Sequence, residues 1–118
     1  MVSALDASVV RFTNAEIENI TFKSTRTDAE ISRITGLMEF SQGSTLEITG
    51  TTIRNSLFRG IYSTNSDKIK IDNSLFEGLG FDVDGGVLYA LSTETMEIKD
   101  STFVNNKAEY SKGGAIMI

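Results

Sequence analysis

The stretches LEITGTTIRN (46–55), IKIDNSLFEG (69–78) and MEIKDSTFVN (96–105), with AEIENITFKS (15–24) set above them, decide the fold. Their third position reads Ile17, Ile48, Ile71, Ile98, and their first Ala15, Leu46, Ile69, Met96. Their eighth is Phe22, Ile53, Phe76, Phe103. The second holds Glu16, Glu47, Lys70 and Glu97, and the fourth Glu18, Thr49, Asp72 and Lys99. Apolar residues alternating with polar ones describe a short strand with one buried face. The fifth position holds Asn19, Gly50, Asn73 and Asp100. These residue types tolerate positive φ at least cost, so a left-handed bend is expected to recur there.

A second element precedes each segment: GLMEFS (36–41), GIYSTN (60–65), GVLYAL (86–91) and GAIMI (114–118). Its glycines are 24, 26 and 28 residues apart. SVVRF (8–12) is expected to supply the matching strand before the first segment. Apolar spacing of two disfavours helices. A repeat near 25 residues with three short strands suggests a solenoid, each strand pairing with its equivalent one turn later, about 4.8 Å away. The four isoleucines then stack along one axis. An antiparallel sandwich would need two-residue hairpin turns, yet the one Asp-Gly pair, Asp84-Gly85, falls in a longer loop. The expectation is an all-β, right-handed, single-stranded parallel β-helix of about four coils with three short strands per coil, in one segment over 1–118.

Composition narrows the chemistry. The chain of 118 residues has a formal net charge of −5 and no histidine, cysteine, proline or tryptophan. Cysteine nucleophiles, disulfide scaffolds, Cys or His zinc sites and histidine bases are therefore excluded. The acidic balance argues against nucleic acid as a partner. No apolar run approaches the roughly 18 residues of a membrane-spanning helix.

The repeat resembles right-handed parallel β-helix proteins of the pectate-lyase-like type, in which an Asn commonly occupies a left-handed bend between two strands of each coil. Asn19, Gly50, Asn73 and Asp100 match that position. Within this class it is most similar to the polymorphic outer-membrane protein repeats of surface autotransporters, marked by GGA[ILV] and FxxN tetrapeptides. Gly113-Gly114-Ala115-Ile116 fits the first and Phe103-Val104-Asn105-Asn106 the second. Gly85-Gly86-Val87-Leu88 is a near match, and Phe76-Glu77-Gly78-Leu79 lacks the Asn. The resemblance implies an adhesin displayed at a cell surface and carries over no catalytic residue.

Candidate sites are few. Asp82 and Asp84 in GFDVDGG offer two calcium oxygens where six to eight are usual, and no longer DxDxD run follows, so they read as a solvated turn. Glu16, Glu47, Lys70 and Glu97 are expected to line one outer surface as solvated charges. Asn19-Ile20-Thr21 is a glycosylation sequon, although Asn19 is also a bend residue. In the Gly-initiated strand, placing Met38, Tyr62, Leu88 and Ile116 inward turns Leu37, Ile61, Val87 and Ala115 outward as an aliphatic ridge, the candidate partner contact. On that assignment Ile61→Asp spares the fold and Ile71→Asp destroys it. No metal or cofactor is expected.

The expected function is a non-enzymatic structural or adhesive solenoid segment, contacting protein or surface glycan, in an extracellular or cell-surface protein. A parallel solenoid exposes strands and apolar interior at its ends. End-to-end self-association, or continuation in a longer chain, is therefore expected as well. The alternatives are a fragment of a polysaccharide lyase or hydrolase whose catalytic coils lie elsewhere, and an intracellular assembly component. Calcium dependence or polyuronate cleavage would favour the enzyme.

Overall fold

The computed structural model describes residues 2–4, 8–19, 37–56, 59–80, 86–108 and 115–118. These form β1 (Val2–Ala4), β2 (Val9–Thr13), β3 (Glu16–Glu18), β4 (Met38–Ser41) and β5 (Thr45–Thr49). Then come β6 (Thr52–Ser56), β7 (Ile61–Thr64), β8 (Lys68–Asp72) and β9 (Leu75–Leu79). The last four are β10 (Leu88–Leu91), β11 (Thr95–Lys99), β12 (Thr102–Val104) and β13 (Ile116–Met117). Sheet A runs β1-β4-β7-β10-β13, sheet B β2-β5-β8-β11 and sheet C β3-β6-β9-β12. Every pairing is parallel. The chain visits A, B and C in turn and returns one rung further on. This is a β-solenoid of four coils with a fifth visit to sheet A.

Pleating sends alternate side chains into the shared interior, where each meets its equivalent one coil away. Leu46 lies in register with Ile69, Ile48 with Ile71, and Ile53 with Phe76, all at 0% exposure. Burying each such side chain contributes on the order of 1.5–3 kcal/mol. Sheet A closes the interior with Met38, Ile61 and Leu88 in one column and Phe40, Ser63 and Ala90 in another. Ser63 points inward without being orphaned, because its hydroxyl bonds Ser66 Oγ at 2.6 Å.

Corners need backbone that turns without breaking the ladder. Asn14, Gly50, Asn73 and Asp100 take φ of 51°, 59°, 46° and 47° between sheets B and C. A second left-handed column, Asn19, Asn55, Gly78 and Asn105, lies at the C-terminal ends of the sheet C strands, and a third, Gln42, Asn65 and Ser92, lies between A and B. Pairing continues through these bends: Asn14 N–H donates to the Thr49 carbonyl at 2.9 Å, and Gly50 N–H to that of Asp72 at 3.1 Å.

Immediately after the B-to-C bend, hydroxyls form a ladder. Thr51 N–H donates to Ser74 Oγ at 3.2 Å, and Ser74 N–H to Ser101 Oγ at 3.1 Å. Each hydroxyl in turn donates to the carbonyl two residues back: Thr51 to Thr49 (3.1 Å), Ser74 to Asp72 (2.8 Å), Ser101 to Lys99 (2.8 Å). The polar groups of a buried corner are thereby satisfied, coil by coil.

The first coil departs from the sequence expectation. Phe12, not Ile17, is the rung beside Ile48, and Ile17 instead pairs with Ile53 in sheet C. Three of the four isoleucines stack. The bend residue of that coil is Asn14, and SVVRF contributes to sheet B rather than to the element before it. Phe22 lies outside the described residues.

A candidate binding face on sheet A

Three outer faces flank the three sheets, and their chemistry differs. On sheet B, Arg11, Glu47, Lys70 and Glu97 stand in register, so charge alternates in sign from coil to coil. Arg11 replaces the expected Glu16, which lies on sheet C. Arg11 Nε donates to Glu47 Oε2 at 2.8 Å, and this bond holds the Glu47 carboxyl below its ordinary pKa. Lys68 Nζ lies 3.9 Å from Glu97. On sheet C, Glu18, Arg54 and Glu77 alternate likewise, and Arg54 lies 3.6 Å from Glu16 and 3.8 Å from Glu18. Such exposed pairs set register and repel wrong partners more than they stabilise.

Sheet A is different. Its outward column is Glu39, Tyr62, Tyr89 and Met117, with Ser41, Thr64 and Leu91 beside it. The Tyr62 and Tyr89 rings stack with centroids 5.3 Å apart and planes 6° from parallel. The Arg59 guanidinium lies 5.4 Å from one centroid and 4.8 Å from the other. Arg59 is buried while both rings are half-buried, so the cation braces them from within rather than reaching out. Leu91 adds an aliphatic side chain at 43% exposure. Tyr, Arg and Met are the residue types enriched at recognition surfaces.

The expected aliphatic ridge does not form. Ile61 faces the interior at 0% exposure, Leu37 and Val87 are buried at the corner entering sheet A, and Ala115 packs against the core. For Ile61 the cause is a one-residue slip, while Met38 and Leu88 face inward as expected. Met38 is in register with Ile61 and Ile61 with Leu88, so Tyr62 points outward, not in. The signal was available. Ile48, Ile71 and Ile98 are spaced by 23 and 27 residues, as are the rungs Thr51, Ser74 and Ser101. The same steps carry Glu39 to Tyr62 and Tyr62 to Tyr89, whereas the glycines step by 24 and 26.

The remaining candidates are scattered. Asn19 is exposed with φ 58°, while Thr21 of its sequon lies outside the described residues. Asp82, Asp84, Gly113 and Gly114 also lie outside them. Asn106 of the FxxN tetrapeptide accepts from Leu79 N–H at 2.9 Å and donates to the Phe76 carbonyl at 3.1 Å. Its amide thus closes the end of β9 as a further strand would. An open depression of about 420 Å³ lies between sheets A and B, lined by Asn65, Ser66, Asp67, Ser92, Thr93 and Glu94. Among the described residues no three acidic side chains converge as a cation site. None of their helices is long and apolar enough to cross a membrane.

With parallel coils, left-handed corners and stacked columns established, the family follows from one comparison. The profile described as "Right handed beta helix region" matches residues 2–118. The chain belongs to this family. The β-helix is therefore right-handed, as its connections between parallel strands require. No curated protein and no solved structure matches the chain.

Proposed function

We propose that this β-helix is a non-enzymatic structural and adhesive segment of an extracellular or cell-surface protein, contacting a protein or glycan through sheet A. One observation carries the reading. Two outer faces are laced with alternating charges, while the third presents the Tyr62–Tyr89 stack braced by Arg59, with Leu91 and Met117 alongside. A rigid aromatic platform loses little conformational entropy on binding, which suits recognition without turnover. The resemblance of Phe103-Val104-Asn105-Asn106 to the autotransporter tetrapeptide supports a surface setting.

The test passes purified chain over immobilised polygalacturonate, cellulose and chitin, and over fixed eukaryotic cells, while following release of reducing ends. Retention without turnover, lost in the double variant Tyr62→Ser/Tyr89→Ser with unchanged circular dichroism, is the expected result. Turnover replaces the reading with the lyase or hydrolase alternative. Retention by none of these surfaces, or equal retention of the variant, overturns it.

A further inference from the structure

Where the described strands of sheets B and C place charges on neighbouring rungs, the signs differ. Glu47 lies between Arg11 and Lys70, Asp72 beside Lys99, and Arg54 between Glu18 and Glu77. The corner between sheets A and B breaks that pattern. Thr64 is in register with Leu91 and Lys68 with Thr95, and the intervening turns are equally long, so Asp67 falls beside Glu94. Thr95 N–H donates to the Asp67 carbonyl at 2.9 Å and holds the rung. Two exposed carboxylates thus stand one coil apart, about 4.8 Å along the ladder. Like charges on neighbouring rungs repel. Among the described residues no ion pair relieves them, and the adjacent Lys68 reaches Glu97 instead, at 3.9 Å.

The carboxylates border the aromatic face. Both line the depression of about 420 Å³, whose floor is fixed by Ser63. Its Oγ meets Ser66 Oγ at 2.6 Å and Thr93 Oγ1 at 3.3 Å. Thr64 and Leu91 end their sheet A strands at the rim, and Tyr62 and Tyr89 stand two residues back on the same outer side. Among the described residues, the solvent-facing charges of sheet A and this corner are Glu39, Asp67 and Glu94, all anionic. Arg59 is only 7% exposed. The surface is therefore complementary to a cation.

The tyrosines narrow the partner further. The electron-rich face of an aromatic ring is the part that the C–H groups of a sugar seek. Tyr62 and Tyr89 turn one face to each other, and Glu39 and Met117 occupy the flanking rungs, so the column presents ring edges and hydroxyls. A basic polypeptide needs no open ring face. Lysine and arginine lay an apolar stem on an aliphatic side chain such as Leu91 while the charged head reaches a carboxylate. We propose that this corner of sheet A docks an extended, lysine- or arginine-rich segment of a partner protein, its cations held by Asp67 and Glu94. The inference rests on the reading of sheet A as the contact face and names the partner's chemistry.

Fluorescence anisotropy of labelled decalysine, decaglutamate and chitosan oligomers with the full chain tests the proposal, alongside retention on cellulose and chitin. Decalysine should bind with a Kd between about 10 µM and about 1 mM, more weakly as salt rises, and decaglutamate should not bind. The double variant Asp67→Asn/Glu94→Gln keeps both tyrosines and should weaken binding by roughly three- to tenfold. Glu16→Gln/Glu18→Gln removes the same charge from sheet C and should stay within about twofold of the wild type. Circular dichroism matching the wild type shows that both variants fold. Equal losses in the two variants reduce the effect to net charge and overturn the proposal. So does tighter binding of chitosan than of decalysine, which assigns the corner to an amino sugar. Retention on cellulose or chitin without decalysine binding overturns this inference alone. Binding to none of these probes overturns it together with the reading of sheet A as a contact face.

Discussion

The Phe76 ring stacks on that of Phe103, with centroids 5.2 Å apart and planes 4° from parallel. One coil separates them, and the stack is the largest pair in the interior column that Ile17 and Ile53 begin. The two rings differ in their surroundings: Phe76 has a coil on both sides and is 0% exposed, whereas Phe103 is half-buried in the fourth coil. Phe76→Ala should therefore lower unfolding free energy by about 3–5 kcal/mol, since flanking coils hold the cavity open. Phe103→Ala should lose only about 1–2 kcal/mol, in keeping with its smaller burial. Urea denaturation of the two variants checks the ratio.

The hydroxyl ladder makes a separate prediction. Ser74→Ala removes the acceptor of the Thr51 N–H, and Thr51 is 1% exposed. A buried donor left unpaired should cost about 1–3 kcal/mol. Hydrogen exchange at the Thr51 amide should rise with it. Ala15→Ser is the control, because no described coil lies beyond it to donate. It should change stability little.

Two glycines separate backbone strain from crowding. Gly50 sits at φ +59, and an added Cβ would press on the Asn14 side-chain oxygen, which can move aside. Gly50→Ala should then cost mainly the left-handed conformation, about 1–2 kcal/mol. Gly80 sits at φ +92, where a Cβ would overlap the Lys107 carbonyl oxygen and the Gly86 Cα, and backbone cannot yield. Gly80→Ala should cost roughly twice as much or more. Thermal melts of both variants decide the order.

Ile61→Asp should unfold the chain as completely as Ile71→Asp, because both side chains are at 0% exposure. An unpaired carboxylate in either place has no partner to offset its desolvation. Far-ultraviolet circular dichroism of the two variants tests this, and a folded Ile61→Asp would return that residue to the surface.

The solenoid was legible because stacking forces one chemical type into each column. Ile48, Ile71 and Ile98, with Ile53, Phe76 and Phe103, carry that signal without help from loops. The register of the first coil is ambiguous in the sequence for a physical reason. Strands of sheets B and C each end in a left-handed residue, Asn14 and then Asn19, five positions apart. The same interval separates Gly50 from Asn55 and Asp100 from Asn105, so the pattern superposes on itself when shifted by five. Only pairing between coils distinguishes Phe12 from Ile17 as the rung beside Ile48. The aromatic face was hidden by glycine. Gly60 and Gly86 looked equivalent, yet Gly60 N-terminal to Ile61 occupies the rung of Val87. Glycine spacing alone therefore predicts Tyr62 inward, whereas pairing between the coils sets it outward beside Tyr89.

The last prediction concerns Glu47 and pH. Arg11 holds the Glu47 carboxylate through the 2.8 Å bond, and this, more than the fields of Lys68 and Lys70, sets its pKa below the ordinary value. A folded-state pKa depressed below the unfolded one means that the pair stabilises the fold above the unfolded pKa. That contribution disappears as pH falls through the folded pKa. The stability difference between wild type and Arg11→Ala should accordingly be constant near neutrality and vanish on acidification below the ordinary glutamate range. Side-chain carbon shifts followed by NMR should show the Glu47 midpoint rising towards that range in Arg11→Ala. High salt should shrink the difference, because both groups face solvent. A Glu47 midpoint that ignores the substitution would mean that Arg11 and Glu47 are neighbours in register without being bonded.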